Sequence, residues 1–196
     1  MLLARGVVLL EGDTDYGAFS TWFSSTTVVG SRDNTRDAHN RALIVADSDK
    51  NFGAWVSFLR AFGIPWAILC DGPVLSPARE TSLFEQLSQA GVHFGQAPAR
   101  DAPFAEWKAF WEGNGAFTVA DQFGGVTKND PDKGGEIEAF FSRVDPDRWQ
   151  AVQQRYPKSK IRAGYAFAEE INLTDHPHRL HELQRLWHAM ISHLTE

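Results

Sequence analysis

Three short apolar runs constrain the fold of this chain more than any other feature. They span residues 7–10, 42–46 and 64–70, and such runs are typical of strands that are buried on both faces. Helical patterns separate them, over residues 16–23 and over 52–62, where apolar residues recur at i, i+3, i+4 and i+7. Strands that alternate with helices in this way predict an α/β fold with a parallel sheet flanked by helices.

The pattern beyond residue 75 is weaker and mostly helical. We predict a two-part organisation, with an α/β core over residues 1–125 and a mostly helical C-terminal extension over 126–196, packed on the same domain. The segment 24–41 is polar and predicts a loop with at most a short strand at residues 27–29. A fourth strand is predicted at 117–120, a polar loop at 124–135, and helices at 79–90, 105–112, 136–144, 147–156, 161–171 and 177–194.

Composition excludes several classes of protein. The formal net charge of −6 argues against a simple DNA-binding module, which would carry a basic surface. It does not exclude a nuclease whose acidic residues bind metal ions. The single cysteine, Cys70, excludes an internal disulfide and a cysteine-based zinc cluster, and a cytoplasmic protein is the expectation. No apolar run approaches the roughly 20 residues of a membrane span, so we predict no membrane association.

Acidic residues follow two of the predicted strands. Glu11 follows the first and Asp71 the third, and parallel strands place their carboxyl ends at the same edge of a sheet. Asp15 opens the next helix four residues after Glu11. Carboxylates grouped in this way are ligands that Mg²⁺ prefers. The alternatives are that Asp15 only stabilises a helix N-terminus, and that Asp71-Gly72 only forms a β-turn.

Two later groups of charged residues are weaker candidates. Glu136 and Glu138 open a predicted helix, and Glu138 would complete a metal site, although acids in a first helical turn are common. A basic cluster is suited to binding phosphate or DNA, but a solvated surface is the simpler interpretation. Its members are Arg155, Lys158, Lys160 and Arg162.

Four segments, in order, carry a family resemblance. Residues 4–15 (ARGVVLLEGDTD), 51–72, 132–140 (DKGGEIEAF) and 158–168 (KSKIRAGYAFA) resemble motifs of the topoisomerase–primase (Toprim) domain in overcoming lysogenization defect (OLD) family nucleases. The resemblance implies a Toprim-like, Rossmann-related sheet and cleavage of DNA phosphodiester bonds by a two-metal mechanism with Mg²⁺ or Mn²⁺. It also implies roles for individual residues. Implied metal ligands are Glu11, Asp15, Asp71, Glu138 and Glu136, and implied catalytic residues are Glu11, Lys160, which contacts the phosphate, and Lys158.

The chain departs from the family pattern in two places. The third strand is normally followed by Asp-x-Asp, whereas this chain has Asp71-Gly72-Pro73, and proline cannot bind a metal. Asp47 and Asp49 are the candidates to replace the missing acid. Family members also carry an ATPase ahead of this domain, and this sequence has no phosphate-binding loop of that type. We therefore expect either a fragment or a separate protein that acts with an ATPase partner.

Three functions remain open from the sequence. The leading hypothesis is a metal-dependent DNA endonuclease or nickase in genome maintenance or phage defence, with a homodimer left open. The second is a catalytically degenerate Toprim module that binds DNA or a partner ATPase, which Pro73 and the negative net charge favour. The third is a primase or a topoisomerase, although no tyrosine stands out as a nucleophile.

Overall fold

A four-stranded parallel sheet lies at the centre of the computed structural model, which describes residues 4–79, 82–127 and 132–195. The strands lie in the order β2-β1-β3-β4 and every neighbouring pair is parallel. The register places Leu10 opposite both Val45 and Leu69, so three strands end level with one another. The strands are β1 (Gly6–Leu10), β2 (Arg41–Val45), β3 (Trp66–Leu69) and β4 (Ala116–Phe117).

Helices cover both faces of the sheet and form separate hydrophobic cores. Val8 and Leu10 of β1 belong to the core on one face, whereas Val7 and Leu9 belong to the core on the other. This alternation follows from the two-residue period of a strand. The first core is shared with α1 (Asp13–Trp22), α2 (Thr26–Val29), α6 (Ile137–Val144), α7 (Pro146–Arg155), α8 (Lys160–Glu170) and α9 (Pro177–His193). The second is shared with α3 (Phe52–Ala61), α4 (Leu83–Gln89) and α5 (Phe104–Glu112).

The predicted fold class is confirmed: a parallel α/β sheet is flanked by helices and followed by a helical C-terminal region. The aromatic segment of α5 contributes to the core, because Trp107 and Trp111 are 5% and 2% exposed. None of the described helices has the length and apolar character that a bilayer crossing requires.

Some predicted boundaries were wrong. Residues 26–29 form the short helix α2 instead of a strand. Val28 and Val29 belong to the first core, where α2 packs against α9 and forms no part of the sheet. The fourth strand is displaced and shortened, to Ala116–Phe117, because only Ala116 and Phe117 pair with β3. Part of the predicted loop, residues 128–131, lies outside the described residues.

Candidate functional site

The sheet brings three acids to the edge where β1, β2 and β3 end. Glu11 directly follows β1, Asp47 lies two residues after β2, and Asp71 lies two residues after β3. From β1 the chain continues to β2, which lies on one side of β1, and then crosses to β3, which lies on the other side of β1. Ligands of open α/β sheets bind at such a reversal of strand order, beside the carboxyl ends of the strands. The positions of Glu11 and Asp71 therefore coincide with the location that the topology favours for a ligand.

A cavity of about 350 Å³ opens at this edge and is lined mainly by carboxylates. Lys160 is the one basic residue among the described residues that line it. Gly12, Thr14 and Ser48 complete the lining. The acids around the cavity are Glu11, Asp13, Asp15, Asp47, Asp71 and Glu138.

The turn between β1 and α1 fixes Asp15. Gly12 is extended and precedes the first turn of α1, and its backbone N–H donates a hydrogen bond of 3.1 Å to Asp15 Oδ2. Asp15 is 5% exposed. Its carboxylate therefore stabilises the start of the helix, as one interpretation of the sequence held, and also lines the acidic cavity.

Asp71 joins β3 to the start of α6. The backbone N–H of Ile137 donates a hydrogen bond of 2.7 Å to Asp71 Oδ1, and this contact brings Glu138 of α6 to the cavity. The adjoining backbone is close-packed, because Gly72 N–H donates to Gly135 O at 2.8 Å. A Cβ on Gly72 would lie 2.2 Å from Gln122 O. Pro73 is buried within a 3₁₀ turn and offers no side-chain oxygen.

Lys160 reaches the cavity because α1 and α8 pack unusually closely. A Cβ on Gly17 would lie 2.3 Å from Ile161 O, and a Cβ on Gly164 would lie 2.2 Å from Thr14 O. Only glycines permit this approach. Neither glycine is among the residues that the sequence predicts for the site. Their signal was present, since a glycine inside a helix is unfavourable and usually has a packing reason.

The Glu11 carboxyl lies in an environment that opposes its ionisation. Burial is the main cause, the negative charge of Asp49 is the second, and together they raise the pKa of Glu11 from 4.5 to about 7. Arg79 and a hydrogen bond from the backbone of Asp71 act in the opposite direction. Among the described residues, Glu11 Oε2 is buried without a hydrogen-bond partner. An unsatisfied carboxylate oxygen of this kind is available to a cation.

Asp15 and Asp71 share this electrostatic environment. Burial raises the pKa of each carboxyl well above its ordinary value, and neighbouring carboxylates raise both further. Glu138 is the strongest such neighbour of Asp15, and Glu11 is the strongest neighbour of Asp71. Lys160 partly offsets the effect at Asp15. A bound divalent cation would reverse the sign of the potential for all of these groups.

Asp47 and Asp49, the two candidates to replace the acid that is missing at Pro73, occupy different environments. Asp47 lines the cavity and has a left-handed backbone with φ of 65°. Such strain is uncommon outside glycine and often occurs at functional sites. Asp49 is 6% exposed and accepts a hydrogen bond of 2.8 Å from Arg79 Nε. Asp49 is thus engaged by Arg79, which leaves Asp47 as the more available of the two.

The remaining predicted residues lie outside the cavity. Glu136 precedes α6 and is half-buried, whereas Arg155, Lys158 and Arg162 are exposed. Arg155 pairs with Glu170, which also binds Arg148 at 3.1 Å. Lys160 is therefore the member of the basic cluster that the described structure places against the acids.

The acids fit a divalent metal in chemistry, although they are not arranged as a finished coordination sphere. Among residues 4–79, 82–127 and 132–195, no three His, Cys, Asp or Glu side chains form a group that could already hold an ion. The fit depends on the donor set: carboxylate oxygens are the ligands that Mg²⁺ and Mn²⁺ prefer. It also depends on the unpartnered Glu11 Oε2 and on the repulsion between the carboxylates.

Comparison with known proteins identifies the fold, and it matches the first part of the chain to a known family. Residues 2–72 match the family described as overcoming lysogenization defect protein-like, TOPRIM domain. The chain is similar to the C-terminal region of the Xanthomonas campestris pv. campestris OLD protein phased with mercury. The TM-score is 0.54 at 17% identity, over 97% of this chain and 98% of that one. For the C-terminal region of the Burkholderia pseudomallei OLD protein, the TM-score is 0.51 at 15% identity, over 96% and 87%.

No curated protein sequence matches the chain closely enough to count as a relative. At these identities the structural likeness shows the fold alone, and the motif match rests on residues 2–72. The resemblance predicted from the sequence is thus confirmed: residues 2–72 match the OLD-like TOPRIM domain, and the chain has the fold of the C-terminal regions of OLD proteins.

Proposed function

We propose that this chain is a divalent-metal-dependent phosphodiesterase that cleaves or nicks DNA at the acidic cavity. One observation carries the proposal: the half-buried Glu11, whose Oε2 is buried and unpartnered, shares a cavity with Asp15, Asp71, Glu138 and Lys160 at the carboxyl edge of the sheet. Carboxylates that are partly or fully buried and repel one another are unfavourable for folding. Their accumulation at a ligand-binding edge is the usual signature of a functional site.

The acids would hold Mg²⁺ or Mn²⁺, as one ion or two. Glu11, Asp15, Asp71 and Glu138 are the proposed ligands, and Asp47 also lines the cavity and is available. When bound, such ions lower the pKa of water and stabilise the charge that develops on the phosphate and on the leaving oxygen. Pro73 removes one carboxylate from the family pattern, so we expect the second ion to be bound more weakly than the first.

Lys160 supplies the positive charge that the protein itself contributes. Its ammonium is positioned by the close packing of α1 on α8, on the side of the cavity where Asp15 lies. We propose that it binds a non-bridging oxygen of the scissile phosphate and stabilises the negative charge of the transition state. The exposed surface nearby carries Lys158, Arg155 and Arg162, which would contact flanking phosphates. Glu136 would contribute only by its position at the start of α6.

Relaxation of supercoiled plasmid DNA tests the proposal. The wild-type chain is incubated with EDTA, Mg²⁺ or Mn²⁺, beside Glu11→Ala and Asp71→Ala. Glu169→Gln is the matched control, because Glu169 is exposed on α8 and does not line the cavity. We expect nicking that requires metal, persists in the control and disappears in both alanine variants. Nicking that survives Glu11→Ala would place the activity elsewhere.

A catalytically degenerate module that binds DNA or a partner ATPase is the second candidate. Pro73 and the net charge of −6 favour it, because both weaken a site that must hold two ions beside a polyanion. A folded chain that binds DNA but nicks no plasmid under any metal would support this candidate. A partner ATPase and a homodimer stay predictions.

A further inference from the structure

A second cavity, of about 200 Å³, adjoins the acidic one. Thr14, Glu138 and Lys160 line both cavities, so the two lie side by side. The outer wall of the second cavity comes from α7, from the turn that follows it and from α8. It consists of Trp149, Gln153, Tyr156, Pro157 and Ala163.

The chemistry of the second cavity differs from that of the first. Glu138 is the single carboxylate among the described residues that line it, and the other walls are aromatic, aliphatic, neutral polar or basic. Two of the walls are aromatic rings, and Gln153 offers an amide that both donates and accepts hydrogen bonds. Aromatic rings with an amide and a nearby ammonium are the groups that proteins use to hold a nucleobase beside its phosphate.

The aromatic walls are held in place by their neighbours. Trp149 is 5% exposed, and its ring centroid lies 5.0 Å from that of Phe141 and 5.4 Å from that of Phe167. Tyr156 follows the last residue of α7 and is half-buried, and the Arg155 guanidinium lies 5.8 Å from its ring centroid. A rigid apolar wall loses little entropy when a ligand packs on it.

We propose that this cavity receives the base of the nucleotide next to the phosphodiester bond that is cleaved. The inference rests on the proposed function, because Lys160 and Glu138 would then face the phosphate and Tyr156 would face the base. A base in a duplex is stacked and paired, and it must leave the stack to enter a side cavity. The preferred substrate is therefore a DNA strand with an unpaired nucleotide, such as a single strand, a frayed end or a loop.

Equilibrium binding of a fluorescent oligonucleotide tests the inference. The probe is a DNA strand of roughly 15 nucleotides, the size range of single-strand sites, used alone and as a duplex, in Ca²⁺ and in EDTA. We expect the single strand to bind at least about tenfold more tightly than the duplex. Tyr156→Leu removes a stacking partner and should weaken single-strand binding by about tenfold. Gln153→Ala removes a hydrogen-bonding amide and should also reduce single-strand affinity. Neither variant should change duplex affinity.

Two further variants keep the test independent of folding. Tyr156→Phe retains the ring and should bind as the wild type does, and Gln154→Ala alters an exposed neighbour of Gln153 that does not line the cavity. Equal affinity for single strand and duplex, with Tyr156→Leu without effect, would overturn the inference even if plasmid is nicked. Binding that depends on Tyr156, without cleavage in any metal, would refute the hydrolysis and keep the nucleotide site.

Discussion

Gly17 of α1 and Gly164 of α8 lie face to face, and each occupies a position where any side chain would collide with the backbone of the other helix. A Cβ on Gly164 would meet Thr14 O at 2.2 Å. Thr14 lies between Asp13 and Asp15 in the first turn of α1, and Lys160 is the first residue of α8. The glycine contact therefore sets the distance between the acids of the first helix and the lysine of the eighth.

Gly164→Ala should destabilise the chain by about 2–3 kcal/mol, because the helices must separate to admit the methyl group. The loss should occur even though alanine normally favours a helix by about 1 kcal/mol over glycine. Urea unfolding measures the change. Gly113→Ala is the control, since a Cβ there would meet its nearest neighbours at 3.6 Å. A Gly164→Ala chain as stable as the control would show that the contact is not tight.

Substitution of Asp71 separates its structural role from its proposed role as a ligand. Asp71→Asn retains an oxygen that can accept from the N–H of Ile137, and it should remain folded. Asp71→Ala loses this contact and should be about 1–2 kcal/mol less stable than the asparagine variant, as for other helix caps. Both variants should lose metal-dependent nicking. Thermal unfolding and the plasmid assay measure the two effects, and nicking by Asp71→Asn would mean that the charge is dispensable.

The two lysines near the start of α8 should differ in their effects on cleavage. Both lysines are exposed, but Lys160 lines the acidic cavity and Lys158 does not. We expect Lys160→Met to lower the nicking rate by about 10²–10³, the usual effect of removing a group that stabilises transition-state charge. Lys158→Met should change it by less than about tenfold. Nicking rates at saturating Mn²⁺ provide the measurement, and equal losses in the two variants would argue for a diffuse basic surface.

Without metal, the stability of the chain should fall as the pH rises from about 4.5 to about 7. The pKa of Glu11 is raised to about 7 by burial and by Asp49, so in this range the folded chain binds more protons than the unfolded chain. Stability present below pH 4.5 is then lost as Glu11 ionises, by about 3 kcal/mol at most. The raised pKa values of Asp15 and Asp71 act in the same direction.

Urea unfolding in EDTA across this pH range measures the effect. Glu11→Gln should make the profile less steep, because the glutamine cannot ionise and only Asp15 and Asp71 still contribute. Mg²⁺ or Mn²⁺ should restore stability at pH 7 if the carboxylates bind the ion. A wild-type profile in EDTA that rises between pH 5 and 7 would contradict the electrostatic description of the cavity.

The sheet and its edge could be predicted from the sequence because local signals specify them. The runs at residues 7–10 and 42–46 have no polar interruption, which is typical of strands in a parallel sheet, and Glu11 follows the first of them directly. Asp71 could be placed on the same edge for the same reason. The helix at Thr26–Val29 was missed because its valines favour a strand, and packing on the first core overrode that preference.

The rest of the site depends on contacts between residues that are distant in the chain. The pairing of Asp49 with Arg79 and the hydrogen bond from Ile137 to Asp71 are not visible in any local pattern. Lys160, and not Arg155, lines the cavity because α8 approaches α1 closely and because Arg155 pairs with Glu170. The second cavity likewise exists only once α7 and α8 are in place.

Titration calorimetry with Mn²⁺ at neutral pH tests the central claim, that the acidic cavity is a divalent-cation site. We predict that the wild-type chain binds Mn²⁺ and that Glu11→Gln binds it at least about tenfold more weakly, because the ion loses a charged ligand. Glu169→Gln should bind as the wild type does. Mn²⁺ binding that is absent, or that is equal in the wild type and in Glu11→Gln, would contradict the account.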